Sequence, residues 1–396
     1  MTAAEPQIHW TDDQGHAHHA RWWSLAGQAA PAVVQLADEH LGVDQAHRLM
    51  GQGVGLLWLG HYQAARQLLQ ALGQRLAGAQ GRAPTPGAPG RGADLGAVYR
   101  RQRQQQAVRA RRLGLLLLPF DADHGVPLPG APDLRAAGRE ARGAADTHYV
   151  ASLRELLGLV GAHEWRKKGV PVPALGAAIH PHHGVFSPIR GEYIALVAKT
   201  PLPPAAKPAG AADIGTGTGV LAAVLARRGL RVAATDLLPA ALACAADNLQ
   251  RLGLGAAVSL ERADLYPAAA GGRFGLVVCN PPWVPGPASS ALDAAVFDPD
   301  SRMLRGFLDG LAAHLVPDGE GWLILSDLAE HLGLRPRATL LGWVAAAGLQ
   351  VLGRVDARPR HGRAADRSDP LHAARSAEVT SLWRLGPGAA HRPRVP

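Results

Sequence analysis

The chain reads as an α/β protein, with an open and mostly parallel sheet covered by helices on both faces and a mainly helical region ahead of it. Three observations predict this. After Ala211 short apolar runs alternate with helical segments, the pattern of a parallel sheet built from strand–helix units. One run leads into the glycine-rich turn DIGTGTG and then into an apolar helix. Acidic residues recur at the ends of successive runs, at Asp213, Asp236 and Asp264. With 396 residues there is enough chain for two domains with sizeable cores.

Residues 1–180 are expected to form a mainly helical domain that recognises the substrate. Residues 23–79 carry apolar positions at three- and four-residue spacing. Gln80–Gly96 is rich in proline and glycine and reads as a flexible loop. Ala97–Arg112 reads as a polar helix with Arg100, Arg101, Arg103, Arg109, Arg111 and Arg112, either a phosphate-contacting face or a solvated one. Leu113–Leu118 is a strand or buried segment, and Thr147–Gly161 a further helix.

Residues 181–386 are expected to form the α/β domain. Gly191–Thr200 reads as its opening helix and Pro201–Gly210 as a break. Strands are predicted at Ala211–Gly215, Arg231–Asp236, Ala257–Asp264, Phe274–Cys279 and Gly321–Ser326, with Leu349–Ala357 and Glu378–Leu385 as two last strands, seven in all. Helices near Gly219–Arg228, Pro239–Leu252, Ser301–Leu315 and Arg337–Ala347 separate most of them. Residues 387–396 are expected to be a disordered tail.

Composition narrows the function classes. No apolar run approaches the roughly 18 residues a membrane helix needs, and the acidic, polar start MTAAEPQIHWTDD lacks the apolar centre of a signal peptide. A cytoplasmic protein without a membrane partner is expected. Two cysteines, Cys244 and Cys279, exclude a disulfide framework and a cysteine-based zinc site. His16, His18 and His19, and again His180, His182 and His183, lie close together without a carboxylate or thiol spaced to complete a metal site, so no metal is expected. The net charge of +9 favours an anionic partner such as RNA.

The chemistry gathers at two motifs. Asp213, Gly215, Gly217 and Gly219 form D-x-G-x-G-x-G at a strand-to-helix turn, where glycines allow positive φ and close approach of a ligand. The spacing differs from the dinucleotide fingerprint, and the nearby carboxylate suits a cationic cofactor better than a pyrophosphate. Asp236 is placed to accept both hydroxyls of a ribose. Asp264 is placed to meet an adenine edge or to cap local structure. The second motif is Asn280-Pro281-Pro282-Trp283, at the end of an apolar strand. The Asn280 side-chain oxygen and the Pro281 carbonyl offer two acceptors to one NH2 group, and Trp283 offers a surface for stacking. Two such bonds turn the lone pair of a delocalised nitrogen toward an electrophile, so alignment supplies most of the rate. Asp298-Pro299-Asp300-Ser301 reads as a helix start that can also border the substrate.

Residues from about Gly184 to Leu385 resemble a class I S-adenosylmethionine-dependent methyltransferase with a Rossmann-like sheet. The subgroup is the one with an Asn-Pro-Pro-aromatic motif, which includes the methyltransferase small domain, HemK-type glutamine methyltransferases and several rRNA base methyltransferases. DIGTGTGVLA resembles the family's cofactor loop and NPPWVP its HemK-type corner. Val185–Tyr193 is loosely similar to the segment before that loop, with Arg190 and Glu192 arranged differently. The resemblance implies S-adenosyl-L-methionine as cofactor. It implies that Asp213, Gly215 and Gly217 line the methionine part, Asp236 the ribose and Asp264 the adenine, with Thr216, Gly219 and Asn280 completing the cofactor set. Asn280, Pro281, Pro282 and Trp283 would form the catalytic corner.

The expected activity is methyl transfer to a planar exocyclic amine or amide nitrogen. Charge and arginine content lean toward a nucleobase in rRNA or tRNA. The alternative is the glutamine amide of a translation-related protein, and a further alternative is a non-catalytic RNA-binding module. The glycine spacing disfavours an NAD-dependent oxidoreductase.

Overall fold

The computed structural model of the chain describes residues 6–81, 94–268, 272–288, 291–359 and 366–388. It divides into two compact units, one of Met1–Gly90 with Arg100–Glu164, the other of Arg91–Tyr99 with Trp165–Pro396.

The N-terminal unit holds more helix than strand, but its helices pack on a sheet that the sequence pattern did not predict. It holds six strands, β1 (Gln7–Thr11), β2 (Ala17–Trp22), β3 (Val34–Ala37), β4 (Gly55–Trp58), β5 (Leu116–Phe120) and β6 (Tyr149–Ser152), in the order β1-β2-β6-β5-β4-β3. β3, β4 and β5 are parallel neighbours; the helices Val43–Gly51 and Tyr62–Gly81 lie between them in the chain. One sheet face packs Leu56, Trp58, Leu116, Leu118 and Tyr149 against helical residues such as Met50, Leu68 and Leu72. The other face buries Ile8, Trp22, Val34, Leu57, Leu117 and Val150. A strand covered on both faces is a short continuous apolar run. Such runs carry no alternation, and periodicity alone does not separate them from helix cores. GLLW and LLLPF are of this kind, and the same reason hides Tyr149–Ser152 within the expected helix Thr147–Gly161. The arginine-rich helix is present as Leu95–Leu113. Of the expected loop Gln80–Gly96, residues 82–93 lie outside the described residues.

The histidines near the N-terminus have a local explanation. β1 and β2 form a hairpin whose turn is held by Asp12, which accepts bonds from the Gln14 and His16 amides at 3.0 and 2.8 Å. His18 Nε2 lies 2.9 Å from the same carboxylate.

The C-terminal unit opens with a small hairpin, β7 (Val170–Val172) and β8 (Ala177–Ile179). Val172, Leu175 and Ile179 sit in the core of this unit, so the compact units part near Trp165 rather than at 180. The main sheet is seven-stranded, as expected: β9 (Ala211–Ile214), β10 (Val232–Asp236), β11 (Val258–Arg262), β12 (Phe274–Cys279), β15 (Leu315–Ser326), β16 (Leu349–Ala357) and β17 (Thr380–Pro387). A two-residue pair, β13 (Val284–Pro285) with β14 (Phe297–Asp298), stands apart. The order is β11-β10-β9-β12-β15-β17-β16, with β17 antiparallel to both neighbours and the other pairings parallel. The helices Glu192–Lys199, Val220–Arg227, Pro239–Arg251, Arg302–Leu311 and Arg337–Ala346 punctuate the strands. One core holds Val220–Ala226 with Ala211, Val232 and Leu276. Another holds Phe307, Leu308 and Leu340 with Ile214, Val277 and Leu323. Residues 389–396 of the expected tail lie outside the described residues.

Candidate active site

Strand register builds the site. Thr235 of β10, Ile214 of β9 and Cys279 of β12 lie in one row across the sheet. The chain leaves that row at Asp236, Gly215 and Asn280, three of the residues singled out in the sequence. The strand order reverses between β9 and β12, and open α/β sheets bind ligands beyond the carboxyl ends of strands at such a reversal. A cavity of about 980 Å³ opens there, lined among others by Asp213, Gly215, Asp236, Asp264, Asn280 and Trp283.

The glycine turn is wound tightly. Gly215, Gly217 and Gly219 have φ of 72°, 56° and 78°, a region L side chains rarely adopt. At Gly219 a Cβ would also stand 3.1 Å from Ala245 on the helix Pro239–Arg251. Asp213, 1 % exposed, accepts at Oδ2 from the Thr216 hydroxyl at 2.7 Å and the Ala222 amide at 3.0 Å. It thereby ties the end of β9 to the helix after the turn. Burial pushes its carboxyl up to about 6, against those two donors, and the charge of Asp236 pushes the same way.

The other two acids differ from each other. Asp236 accepts the Gly217 amide at Oδ2 and the Leu238 amide at Oδ1, both at 3.0 Å, so its carboxylate is aimed by the backbone. Leu237 and Leu238, beside it, are almost half exposed and line the cavity with Leu265. Asp264 also lines the cavity, held by Arg302 at 3.1 and 3.3 Å. Both side chains of that pair are more than half exposed, so it contributes little to stability.

At the corner, the Trp283 indole N–H donates to Asn280 Oδ1 at 2.8 Å. The buried Arg335 donates to the Trp283 carbonyl at 3.2 Å, and its burial lowers its pKa. The pairing of β13 with β14 carries Asp298 alongside. Asp298, 3 % exposed, accepts the Met303 and Leu304 amides, both at 3.0 Å. It caps the helix Arg302–Leu311 as the sequence suggests, and it also lines the cavity. Cys279 is fully buried, and burial raises its thiol pKa well above the usual value.

The comparisons with known proteins point the same way. Residues 176–331 match the family model of the methyltransferase small domain. The release factor glutamine methyltransferase of Moorella thermoacetica is 40% identical over 116 residues, 28% of this chain and 41% of that protein. That of Cereibacter sphaeroides is 34% identical over 164 residues, 37% of this chain and 56% of that protein. The chain therefore spans about half the length of the curated relatives it matches. A methyltransferase from Pyrococcus furiosus of solved structure is 18% identical with a TM-score of 0.38, covering 59% of this chain and 98% of that one. Residues 176–331 thus match a methyltransferase small domain, and this match and the relatives support a class I S-adenosylmethionine-dependent methyltransferase.

The methyltransferase cofactor is S-adenosylmethionine, and the residues present suit it. Apolar Leu237, Leu238 and Leu265 offer a wall for a flat base, Asp236 is aimed into the rim, and the glycine turn brings bare backbone to the cavity. Five carboxylates line the cavity, Asp213, Asp236, Asp264, Asp298 and Glu378, against three arginines, Arg190, Arg302 and Arg375, and the excess of acid complements a positively charged ligand.

Sequence reading missed Asn248, which is buried. It accepts the His180 amide at 2.7 Å and donates to the Thr218 carbonyl at 3.1 Å, pinning the segment before the domain to the glycine turn. His180 and His182 serve the same docking, through the Arg166 carbonyl and Asp247. Arg190, Met303 and Glu378 also border the cavity without having been expected there, whereas Asp298 does so as its motif allowed. Only Asp298 carried a local signal, as a helix start.

Proposed function

We propose that the chain transfers the methyl group of S-adenosylmethionine to a side-chain amide nitrogen of a protein, with a translation release factor as the first candidate acceptor. The observation that carries this is the placement of Asn280 and the glycine turn at adjacent register positions on one rim. The cofactor supplies an electrophilic methyl group on a sulfonium. The chain's own residues bind and orient. Asp236 accepts the ribose hydroxyls, Asp264 meets the adenine edge, and Leu237, Leu238 and Leu265 cover the base. Asp213, Gly215, Thr216, Gly217 and Gly219 shape the methionine end. Asn280 Oδ1 and the Pro281 carbonyl hold the acceptor N–H groups, and Pro282 and Trp283 stiffen the corner.

The amide is preferred to a nucleobase because the relatives are named for glutamine methylation. The arginine-rich helix lends the nucleobase less support than its composition suggests. Arg109 donates to the Gly73 carbonyl at 2.8 Å, and Arg103 and Arg112 are only partly exposed. Among the described residues no helix is long and apolar enough to cross a membrane.

The test is incubation of the chain and labelled cofactor with a bacterial release factor and, separately, with total RNA. Label in protein that resists ribonuclease and maps to a glutamine amide supports the proposal. Label only in RNA overturns the amide reading in favour of a nucleobase, and no label in either overturns both. Asn280→Ala should lower transfer at least ~100-fold, the order expected for a misplaced acceptor, with S-adenosylhomocysteine affinity within threefold of the parent.

A further inference from the structure

Arg190 lies in the segment whose acidic and basic residues depart from the HemK-type arrangement. In the fold it meets a residue 188 positions away. Its guanidinium donates from Nη1 and Nη2 to the two carboxylate oxygens of Glu378, at 3.0 and 3.3 Å. Glu378 is 2 % exposed and also accepts the hydroxyl of Ser326, the last residue of β15, at 2.7 Å. The forked geometry holds the guanidinium in one orientation. Its central carbon lies 5.5 Å from the centroid of the Trp283 ring, within the range of a cation–π contact. The Trp283 indole in turn donates to Asn280 Oδ1.

We infer that Glu378, Arg190 and Trp283 form a positioning relay that sets the orientation of the Asn280 carboxamide toward the acceptor. The physical reason is donor and acceptor parity. An asparagine amide has one acceptor end and one donor end, and an indole N–H only donates. Turned over, Asn280 would set its NH2 against the indole N–H and lose the bond. With the indole fixed, Oδ1 is the end held in place, one of its lone pairs is spent on Trp283, and the other is left to receive an N–H. Phenylalanine at this position lacks the donor that enforces the choice. Arg190 and Glu378 hold the indole plane, so the orientation of the corner depends on residues from opposite ends of the domain. The relay rests on the proposal that Asn280 holds the acceptor nitrogen, but the bond itself can be read without any acceptor.

The experiment uses the full chain labelled with ¹⁵N in its tryptophan indoles, with the Trp283 signal identified by its loss in Trp283→Phe. In the parent this N–H should exchange slowly with water. Asn280→Ala should speed its exchange at least tenfold. Arg190→Lys, which keeps the charge but not the fork, should shift the signal and speed exchange at least threefold. Thermal unfolding midpoints close to the parent's in both would show that the fold is intact. In transfer to a release factor, Trp283→Phe and Arg190→Lys should lower kcat 10- to 100-fold while KM for S-adenosylmethionine stays within twofold. Unchanged exchange in Asn280→Ala overturns the hydrogen bond, and an unmoved signal in Arg190→Lys overturns the relay. Absence of transfer to release factor in the parent would count against the proposed acceptor, and the exchange measurements would still decide the relay.

Discussion

Replacing Asp213 with asparagine isolates the cost of holding a carboxylate beneath the glycine turn. Asp213 is 1 % exposed, and both of its protein donors reach one oxygen, Oδ2. Two such bonds do not offset the lost hydration, so the carboxyl is pushed from 3.8 up to about 6. The unfolded chain binds this proton less tightly than the folded one. Well below pH 3.8 the group is protonated in both states and costs nothing. Between about pH 4 and 6 the unfolded chain releases the proton while the folded chain keeps it, so stability falls with rising pH and levels off above 6, where both states are ionised. The loss is complete at neutrality. At ~1.4 kcal/mol per pH unit it amounts to about 3 kcal/mol, of which about 1.5 kcal/mol develops between pH 5 and 7.5. Asp213→Asn retains an oxygen for Thr216 and Ala222 and removes the ion. Without cofactor, the variant should therefore exceed the parent in stability by about 1.5 kcal/mol more at pH 7.5 than at pH 5. Urea unfolding of both proteins at the two pH values measures this, because other titrating groups cancel in the difference. A gap between the two proteins that is the same at both pH values would refute the reasoning. Cofactor affinity should move the other way, falling in the variant, because the carboxylate would complement the cationic cofactor proposed for this cavity.

Asp236→Ala removes the acceptor for the Gly217 and Leu238 amides and the proposed ribose contact. S-adenosylhomocysteine should bind 10- to 100-fold more weakly by calorimetry, about 1.5–3 kcal/mol, and an unchanged affinity would remove the role. Glu320 is 6 % exposed and accepts from Arg384 and from the Trp322 indole, linking β15 to β17. Glu320→Ala should cost about 2 kcal/mol, less than a fully buried pair because Arg384 is one-third exposed and can rehydrate; a Tm equal to the parent's would show that the pair adds nothing.

Much of the methyltransferase domain was legible because its signals are local. A glycine that must take positive φ, a proline that stops a strand and a carboxylate at a strand end are each determined by a few neighbouring residues. Leu349–Ala357 and Phe274–Cys279 appear with the bounds read from pattern alone. The N-terminal sheet was not legible in that way. Its strands β4, β5 and β6 are brief apolar runs buried on both faces, where periodicity does not separate strand from helix, so only the β5 segment was open to a strand reading. β1 and β2 are polar hairpin strands without a clear apolar alternation.

The sequence by itself determined that one rim of an α/β sheet carries a glycine turn, three acids and an Asn-Pro-Pro-Trp corner. Tertiary structure decided how those parts are held. It buried Asp213 beneath the turn, brought Asp298 beside the corner, and joined Arg190 to Glu378 across 188 positions of chain. The physical reason is range. Backbone preferences act between neighbours, whereas burial and hydrogen-bond pairing act between groups that meet only once the sheet has formed.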